Sequence, residues 1–245
     1  MAAGPEPSIE TLGLTKRYGD RVAVDELTFS VDPGTVFGFL GPNGAGKSTT
    51  MRLLTTLTRP TSGTAWVAGN PIEDRAAVTP HVGYLPEEPP LYEELTAREQ
   101  LDYAAGIREL HRETMQERID TLLERFELAE EADTRISNCS HGMRQKLGII
   151  QAILHDPQVI FLDEPTSGLD PRATRAMRET VRKLAATGTT VFLSTHILPV
   201  VEAVADDIGI IHDGRLVAVG GPDELITEHS GAETLEDLFL ALTRE

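Results

Sequence analysis

Residues 41–49 have the sequence Gly-Pro-Asn-Gly-Ala-Gly-Lys-Ser-Thr, which satisfies the pattern G-x-x-x-x-G-K-[ST]. An apolar run at residues 35–40 precedes this stretch, and regularly spaced apolar residues follow it from Met51 to Leu57. A strand, a tight loop and a helix beginning near Lys47 are therefore predicted. Glycines allow such a loop to wrap a polyphosphate, so that backbone N–H groups and the helix N-terminus point at its negative charge.

Two side chains of the loop have the chemistry for a nucleoside triphosphate. Lys47 would reach the β- and γ-phosphates, and the Ser48 hydroxyl would bind Mg²⁺. A glycine-rich turn with a surface lysine is the alternative, but it does not explain the strand before the loop and the helix after it. The predicted nucleotide-binding residues are Gly41, Pro42, Asn43, Gly44, Ala45, Gly46, Lys47, Ser48 and Thr49.

Composition narrows the class of protein. The 245 residues suffice for one large α/β domain, with or without a helical insertion, and 39 acidic against 22 basic residues give a net charge of −17. This charge disfavours DNA and RNA as partners. The single cysteine excludes an internal disulfide, no apolar run approaches a membrane span, and residues 1–10 lack the features of a signal peptide. We therefore expect a cytoplasmic protein.

Strand and helix patterns alternate along the chain, with one interruption. Strands are predicted at residues 9–14, 23–31 and 35–40, and again at 64–68, 82–85, 158–162 and 190–194. Between about Tyr92 and His155 the pattern is helical and opens with a capping box at Thr96 and Glu99. The sequence thus predicts a parallel α/β sheet into which a helical segment is inserted.

Two carboxylates follow a strand that is apolar throughout. Residues 159–162 are Val-Ile-Phe-Leu, as expected for a central parallel strand, and Asp163 and Glu164 come next. In a nucleotide site Asp163 would bind Mg²⁺ and Glu164 would polarise the attacking water. Acids at the end of a strand are often only a solvated loop or a helix cap, but here they accompany a phosphate loop.

Residues 162–171, Leu-Asp-Glu-Pro-Thr-Ser-Gly-Leu-Asp-Pro, resemble the joined Walker B motif and D-loop of ABC-family ATPases. The resemblance extends over residues 9–225, with the motifs in the family's order. It implies a P-loop NTPase fold with a mostly parallel sheet core, an N-terminal antiparallel β subdomain and an inserted α-helical subdomain. The D-loop residues would be Ser167, Gly168, Leu169 and Asp170.

The resemblance also suggests boundaries within the chain. A flexible N-terminus is expected at residues 1–7, and the ATPase domain at 8–228. The helical subdomain would occupy about 91–157, and a helical tail 229–245.

The same resemblance implies functional roles for two aromatic side chains. Tyr18 stands where the family stacks an aromatic ring on adenine, and its alternative is a half-buried tyrosine at a strand end. His196 resembles the family's switch histidine, which contacts the γ-phosphate, although a lone histidine is usually structural. The catalytic set implied is Glu164, His196 and Lys47.

The sequence departs from the family pattern at two places. The signature segment, residues 139–143, reads Cys-Ser-His-Gly-Met instead of Leu-Ser-Gly-Gly-Gln. Ser140, His141, Gly142 and Met143 would meet ATP held by a second subunit, and His141 replaces a glycine there. Glu87 occupies the position of a glutamine that senses the metal and the attacking water. It can still bind Mg²⁺ through oxygen, so a third metal ligand is expected beside Ser48 and Asp163.

In the family, two such domains close head to tail around two ATP molecules and drive a separate transmembrane permease. We therefore expect a homodimer or heterodimer that lies on the inner face of the membrane and powers a transporter. Resemblance in residues 84–95 and 140–147 favours an exporter. The alternative is an ABC ATPase that acts on DNA or the ribosome. A DNA-repair ATPase would need a long coiled-coil insertion and a ribosome factor two tandem domains, and the sequence shows neither.

Overall fold

Three fully buried strands form the middle of the larger sheet in the computed structural model, which describes residues 6–108, 112–229 and 231–243. They are β3 Val36–Leu40, β7 Val159–Asp163 and β8 Thr190–Thr195. Strand β8 pairs in parallel with β3 on one side and with β7 on the other. Parallel strands covered on both faces contain near-continuous apolar runs, which explains why residues 36–40, 159–162 and 191–193 lack alternation.

The other elements surround these strands. Further strands are β1 Ile9–Tyr18, β2 Arg21–Val31, β4 Ser62–Val67, β5 Asn70–Pro71, β6 Val82–Leu85, β9 Asp207–His212 and β10 Arg215–Gly220. The helices are α1 Lys47–Leu54, α2 Arg75–Val78, α3 Ala97–Ile107, α4 Arg112–Arg125, α5 His141–Ile153, α6 Pro171–Ala186, α7 Leu198–Val204, α8 Pro222–Glu228 and α9 Leu235–Leu242.

Two sheets result from the strand pairing. The larger has the order β10-β9-β3-β8-β7-β6, in which β9 and β10 pair antiparallel and the other neighbours pair in parallel. The smaller is antiparallel, with the order β2-β1-β4-β5. The parallel strands end at one edge of the larger sheet, so the residues that follow β3, β7 and β8 lie together there.

Strand β1 is longer than the sequence predicts. The predicted strand ends at residue 14, whereas β1 continues to Tyr18, which pairs with Arg21. Gly13 has φ +59, and the register of β1 shifts beside it before the pairing with β2 resumes. This irregularity breaks the apolar alternation, and the extension carries Tyr18 to the tip of the β1–β2 hairpin.

Aromatic rings join the two sheets. Phe29 of the smaller sheet stacks on Phe37 at 5.5 Å between ring centroids and lies 6.0 Å from Phe39 and 6.2 Å from Phe192. Aromatic side chains bury more apolar area than most others and so contribute strongly to such a contact. The β1–β2 hairpin is thereby held beside the end of β3.

The helical segment packs against the β6 side of the larger sheet. Buried side chains of α3, α4 and α5 form one apolar cluster with Leu85 of β6 and Leu162 of β7. The predicted capping box is present: Thr96 accepts from the Glu99 N–H, and the Glu99 carboxylate accepts from the Thr96 N–H. Helix α5, which begins with the signature segment, is therefore fixed to the strand that precedes Glu87.

The C-terminal helices cover the opposite part of the sheet. Leu225 of α8 and Leu235 and Leu238 of α9 form a buried cluster with Leu40 and Ile208. Of the predicted terminal segments, residues 1–5, 230, 244 and 245 lie outside the described residues. Nowhere in the described ranges does a helix combine the length and the apolarity needed to cross a membrane.

One half-buried histidine links the helical segment to the sheet. His155 follows α5, and its Nε2 lies 3.0 Å from the carbonyl oxygen of Val82, while its Nδ1 is buried with no hydrogen-bond partner. Since a carbonyl only accepts, the ring donates from Nε2 and Nδ1 carries no proton. Burial first, and the nearby Arg108 second, lower the pKa of His155 from 6.5 to about 4.

We expect the free energy of unfolding to fall as the pH drops from about 6.5 to about 4. In that window the unfolded chain binds a proton at His155 and the folded chain does not, so protonation favours unfolding. A shift of this size corresponds to at most about 3 kcal/mol, and partial exposure of the ring reduces it to about 1–2 kcal/mol.

Urea unfolding at several pH values measures this contribution. His155→Gln keeps an N–H donor for Val82 and should show a shallower loss of stability than the parent between pH 6.5 and 4. His81→Gln, at a histidine just before β6, is the matched control and should follow the parent. Equal slopes for the parent and His155→Gln would contradict the assignment.

Candidate nucleotide site

The glycine loop is shaped by its contacts with the β1–β2 and β9–β10 hairpins. Gly46 caps α1 with φ 114, and a Cβ built on it would lie 2.5 Å from the carbonyl oxygen of Ala23. Only glycine is free of both the strain and the clash. The Gly214 N–H donates to the carbonyl of Ala45 at 2.9 Å. The loop is therefore preformed, with the N-terminus of α1 open to an anion.

Lys47 is held inside this loop. The side chain is 6% exposed, and Nζ donates to the carbonyl oxygens of Gly41 at 2.7 Å and Pro42 at 3.3 Å. Nζ also lies 3.5 Å from Glu164 Oε1. A buried ammonium needs such partners, and its position at the base of the loop is suited to a phosphate chain.

Asp163 ends β7 next to the loop and has unused hydrogen-bonding capacity. Its side chain is buried, and Oδ1 has no hydrogen-bond partner. Burial raises the pKa of the Asp163 carboxyl, which the hydroxyls of Ser48 and Ser194 partly oppose. A buried carboxylate oxygen without a partner is costly, and a cation bound there would relieve the cost.

Glu164 follows in the left-handed backbone conformation, with φ 47. Oε2 accepts from the Thr195 hydroxyl at 3.0 Å, and Oε1 lies 3.0 Å from His196 Nδ1. A non-glycine residue in this conformation is strained, and such strain is commonly found at functional sites. Donors from β8 and from the glycine loop thus hold one carboxylate in place.

Lys47 and Glu164 border one cavity of about 580 Å³, which we call the loop cavity, whereas Asp163 is not among the residues that line it. Tyr18 lies at its rim, half exposed, with the Lys16 ammonium 4.9 Å from the centre of its ring. His196 is also accessible, with 47% of its side chain exposed. The residues that line the cavity are Tyr18, Arg21, Ala23, Asn43, Gly44, Gly46, Lys47, Ser48, Thr49, Glu87, Glu164, Ser167 and His196.

Glu87 reaches the cavity from the loop after β6. The buried Gln145 of α5 donates from Nε2 to the Glu87 carbonyl at 3.2 Å. The Glu87 side chain is exposed. Helix α5 therefore positions the backbone at Glu87, while the carboxylate is free to contact a ligand.

The signature segment does not line the loop cavity. Ser140 caps α5 by accepting from the Met143 N–H at 3.3 Å, and both Ser140 and His141 are exposed. The D-loop residues differ in what they contact. Ser167 lines the cavity, and Leu169 packs against the core. Asp170 caps α6 by accepting a hydrogen bond from the Ala173 N–H at 2.8 Å. In the described chain, the glycine loop, Glu164 and His196 therefore lie together, whereas Ser140 and His141 of the signature segment are exposed away from them.

Comparison with known proteins identifies this arrangement. A family model described as "ABC transporter" matches residues 24–167. The Nod factor export ATP-binding protein I of Mesorhizobium japonicum is 41% identical over 230 residues, which cover 94% of this chain and 68% of that protein. The chain belongs to the ABC transporter family. It is an ATP-binding and ATP-hydrolysing transporter subunit, as the sequence analysis predicts.

Two further relatives agree. The daunorubicin resistance ATP-binding protein DrrA3 of Streptomyces coeruleorubidus is 41% identical over 227 residues, which cover 92% of this chain and 72% of that protein. A solved structure described as the ATP binding subunit of an ABC transporter superposes with a TM-score of 0.87 at 34% identity, covering 96% of this chain and 99% of that one. The predicted P-loop α/β fold is confirmed.

Several residues at the site were missed by the sequence analysis, including Ala23, which lines the loop cavity. Thr195 binds Glu164, Arg21 lines the loop cavity, and Gln145 holds the Glu87 backbone. Thr195 has a usable signal, because it is a polar residue at the end of an apolar strand beside His196. Arg21 and Gln145 have none, since each reaches the site only through the packing of a distant element.

Proposed function

We propose that this chain is the ATPase of an ABC exporter, and that it hydrolyses ATP in composite sites formed with a second ATPase subunit. The observation that carries the proposal is the separation of the two halves of the site. The loop cavity holds Lys47, Glu164 and His196, whereas Ser140 and His141 are exposed outside it. The cavity supplies groups for one side of a triphosphate and leaves the other side open.

The side-chain oxygens of Ser48 and Asp163 fit Mg²⁺. Asp163 Oδ1 is buried without a partner, and the Ser48 hydroxyl is close enough to affect the pKa of Asp163. Hard cations prefer such oxygen ligands. We infer that Ser48 and Asp163 hold the ion and that Glu87 approaches it, directly or through water. When bound, Mg²⁺ would neutralise charge on the β- and γ-phosphates.

The chain's own residues then have distinct roles. The loop N–H groups and Lys47 bind the phosphates, and Tyr18 offers a ring face for the adenine. Glu164 orients the attacking water and accepts its proton, and His196 positions both the carboxylate and the γ-phosphate. In the structure Glu164 Oε1 is shared between Lys47 and His196, so a phosphate that attracts Lys47 would release the carboxylate for water.

A mixture of two inactive variants tests the composite site. Lys47→Ala removes the phosphate contact of one subunit, and Ser140→Arg blocks the signature segment of the other. In a mixed dimer of composite sites, both lesions fall in one site and the second site is native, so ATPase activity should return. If the sites are complete within each chain, the mixture stays as inactive as the separate variants.

The helical segment offers a surface for a transmembrane permease, as the family resemblance suggests. Tyr92 and Tyr103 pack edge to face at 5.3 Å, and both remain about half exposed. Ile107, one turn beyond Tyr103, is 65% exposed. Four exposed carboxylates lie in the segment that leads into α3: Glu87, Glu88, Glu93 and Glu94. An apolar helix with basic ends would match it.

The patch connects to the signature helix. Glu93 Oε1 forms an ion pair with Arg144 Nη1 at 3.2 Å, and Arg144 lies in the second turn of α5. A partner that displaces the loop around Glu93 would therefore act on the helix that carries Ser140. We infer that the permease binds here and holds the chain at the inner, cytoplasmic face of the membrane.

We expect Tyr103→Lys with Ile107→Lys to lower the membrane-bound fraction of the chain about tenfold in its native host, because the charges oppose docking of an apolar helix. Leu57→Lys, at an exposed apolar residue on another surface, is the control. Sedimentation of membranes measures the bound fraction, and the ATPase of the purified chain should not change. An unchanged membrane-bound fraction would exclude this patch.

Substitutions of Glu87 test whether its side chain contributes to Mg²⁺ binding. Glu87→Ala should lower Mg²⁺-dependent ATPase activity about tenfold, because an oxygen ligand is lost. Glu87→Gln keeps an oxygen and removes a negative charge beside the triphosphate, so it should retain most of the activity. Titration of phosphate release against Mg²⁺ measures both, with Glu88→Gln as the neighbouring control. Parental rates in both Glu87 variants would remove Glu87 from the site.

The functions named for the relatives support a direction of transport. Those described above act in Nod factor export and daunorubicin resistance, and we infer that this chain also drives export. Reconstitution with its permease, followed by measurement of ATP-dependent efflux, would test the direction.

A further inference from the structure

One hydrogen bond connects the signature segment to the D-loop of the same chain. His141 Nε2 and the Ser167 carbonyl oxygen are 2.9 Å apart. Because the carbonyl only accepts, the imidazole is the donor. A glycine, which the family places at position 141, has no side chain with which to form this contact. The connection therefore depends on the departure from the family pattern.

The imidazole also packs closely on the next residue of the D-loop. Gly168 has φ +69, and a Cβ built on it would lie 3.4 Å from His141 Nε2 and 3.6 Å from Cδ2. The backbone conformation favours glycine here, and a Cβ would meet the ring at ordinary van der Waals distance. The first residue of α5 thus fits against one defined conformation of the D-loop.

The residue that accepts this hydrogen bond belongs to the catalytic turn. The Ser167 N–H donates to the Glu164 carbonyl at 3.0 Å, and the Leu169 N–H donates to Thr166 at 3.2 Å. Ser167 also lines the loop cavity. A force on the Ser167 carbonyl is therefore transmitted through one tight turn to the backbone of Glu164.

We propose that His141 is a positioning residue for hydrolysis: it fixes the D-loop through Ser167 and thereby links the signature segment to Glu164 of its own chain. This extends the composite site of the proposed function. When Ser140 and Gly142 engage ATP on the partner subunit, a shift of the start of α5 reaches the D-loop through the imidazole. Occupancy of one site is then sensed by the catalytic carboxylate of the other.

The hydrogen bond lies at an exposed position, so it contributes little to folding. His141→Gly should leave the melting temperature near that of the parent. It should lower kcat about five- to tenfold with KM within about twofold, because the misplaced group acts after ATP has bound. The Hill coefficient for ATP should fall towards one. His141→Gln retains a side-chain N–H donor and should restore most of kcat.

The mixed-dimer assay distinguishes positioning within one chain from direct contact with the partner's ATP. His141→Gly is added to the Lys47→Ala subunit, which supplies only the signature segment to the native site. If His141 acts within its own chain, the mixture retains its activity within about twofold. A loss as large as that in the His141→Gly homodimer would overturn the proposal and assign His141 to the ATP contact.

Two other results would also overturn it: an unchanged kcat and Hill coefficient in His141→Gly, or no recovery in His141→Gln. A failure of the composite site itself gives a different result. The mixture of Lys47→Ala and Ser140→Arg would then stay inactive even with His141 unchanged.

Discussion

Substitution of Lys47 by alanine is expected to lower ATP affinity and turnover at least about 100-fold, the loss typical of removing a preorganised donor from a charged site. Lys47 Nζ bridges the carbonyl oxygens of Gly41 and Pro42 and lies 3.5 Å from Glu164. The variant loses the ammonium that is proposed to bind the phosphates, together with its hydrogen bonds to two carbonyls of the loop. Binding of a fluorescent ATP analogue and release of phosphate measure the two effects.

Lys183→Ala is the matched control, because Lys183 is exposed on α6, outside the residues that line the loop cavity. It should bind and hydrolyse ATP like the parent. Circular dichroism separates a binding defect from loss of the fold. Parental affinity in Lys47→Ala would show that the ammonium does not face the triphosphate.

Glu164→Gln should separate binding from chemistry. We expect turnover to fall about 10²- to 10³-fold, because the amide cannot accept a proton from water, while ATP affinity stays within a few-fold of the parent. The amide has nearly the shape of the carboxylate: its oxygen can still accept from His196, and its NH2 group can donate to the Thr195 hydroxyl oxygen. The variant should accumulate as an ATP-bound dimer in the presence of Mg²⁺.

Size-exclusion chromatography with Mg²⁺-ATP detects this dimer, and single-turnover kinetics measure the chemical step. Glu202→Gln, an exposed carboxylate of α7, controls for the change in net charge. If Glu164→Gln turned over ATP at the parental rate, another group would have to be the base.

The fold is predictable from sequence where local pattern and burial agree. The apolar runs of β3, β7 and β8 predict central parallel strands, and the capping box predicts the start of α3. The end of β1 is not predictable in this way. Its bulge at Gly13 changes which face each later residue occupies, and only pairing with β2 shows that the strand continues to Tyr18.

The candidate site also contains residues that local motifs predict and a contact that they do not predict. Motifs predict Lys47, Asp163, Glu164 and His196, and the structure places Lys47 and His196 within 3.5 Å of Glu164 Oε1. The contact between His141 and Ser167 has no counterpart in any local pattern. It arises because α5 and the turn after β7 meet in space.

The sequence alone determined the nine-residue glycine loop, because its function depends on neighbouring backbone groups whose spacing is set by the chain itself. It also determined the family, through residues 162–171 and the order of the motifs. Tertiary structure decided what each charged group faces: sheet order brings the ends of β3, β7 and β8 together, and the packing of α5 sets His141 on the D-loop. These contacts join residues far apart in the chain, and a side chain's partner across such a distance follows from packing rather than from spacing.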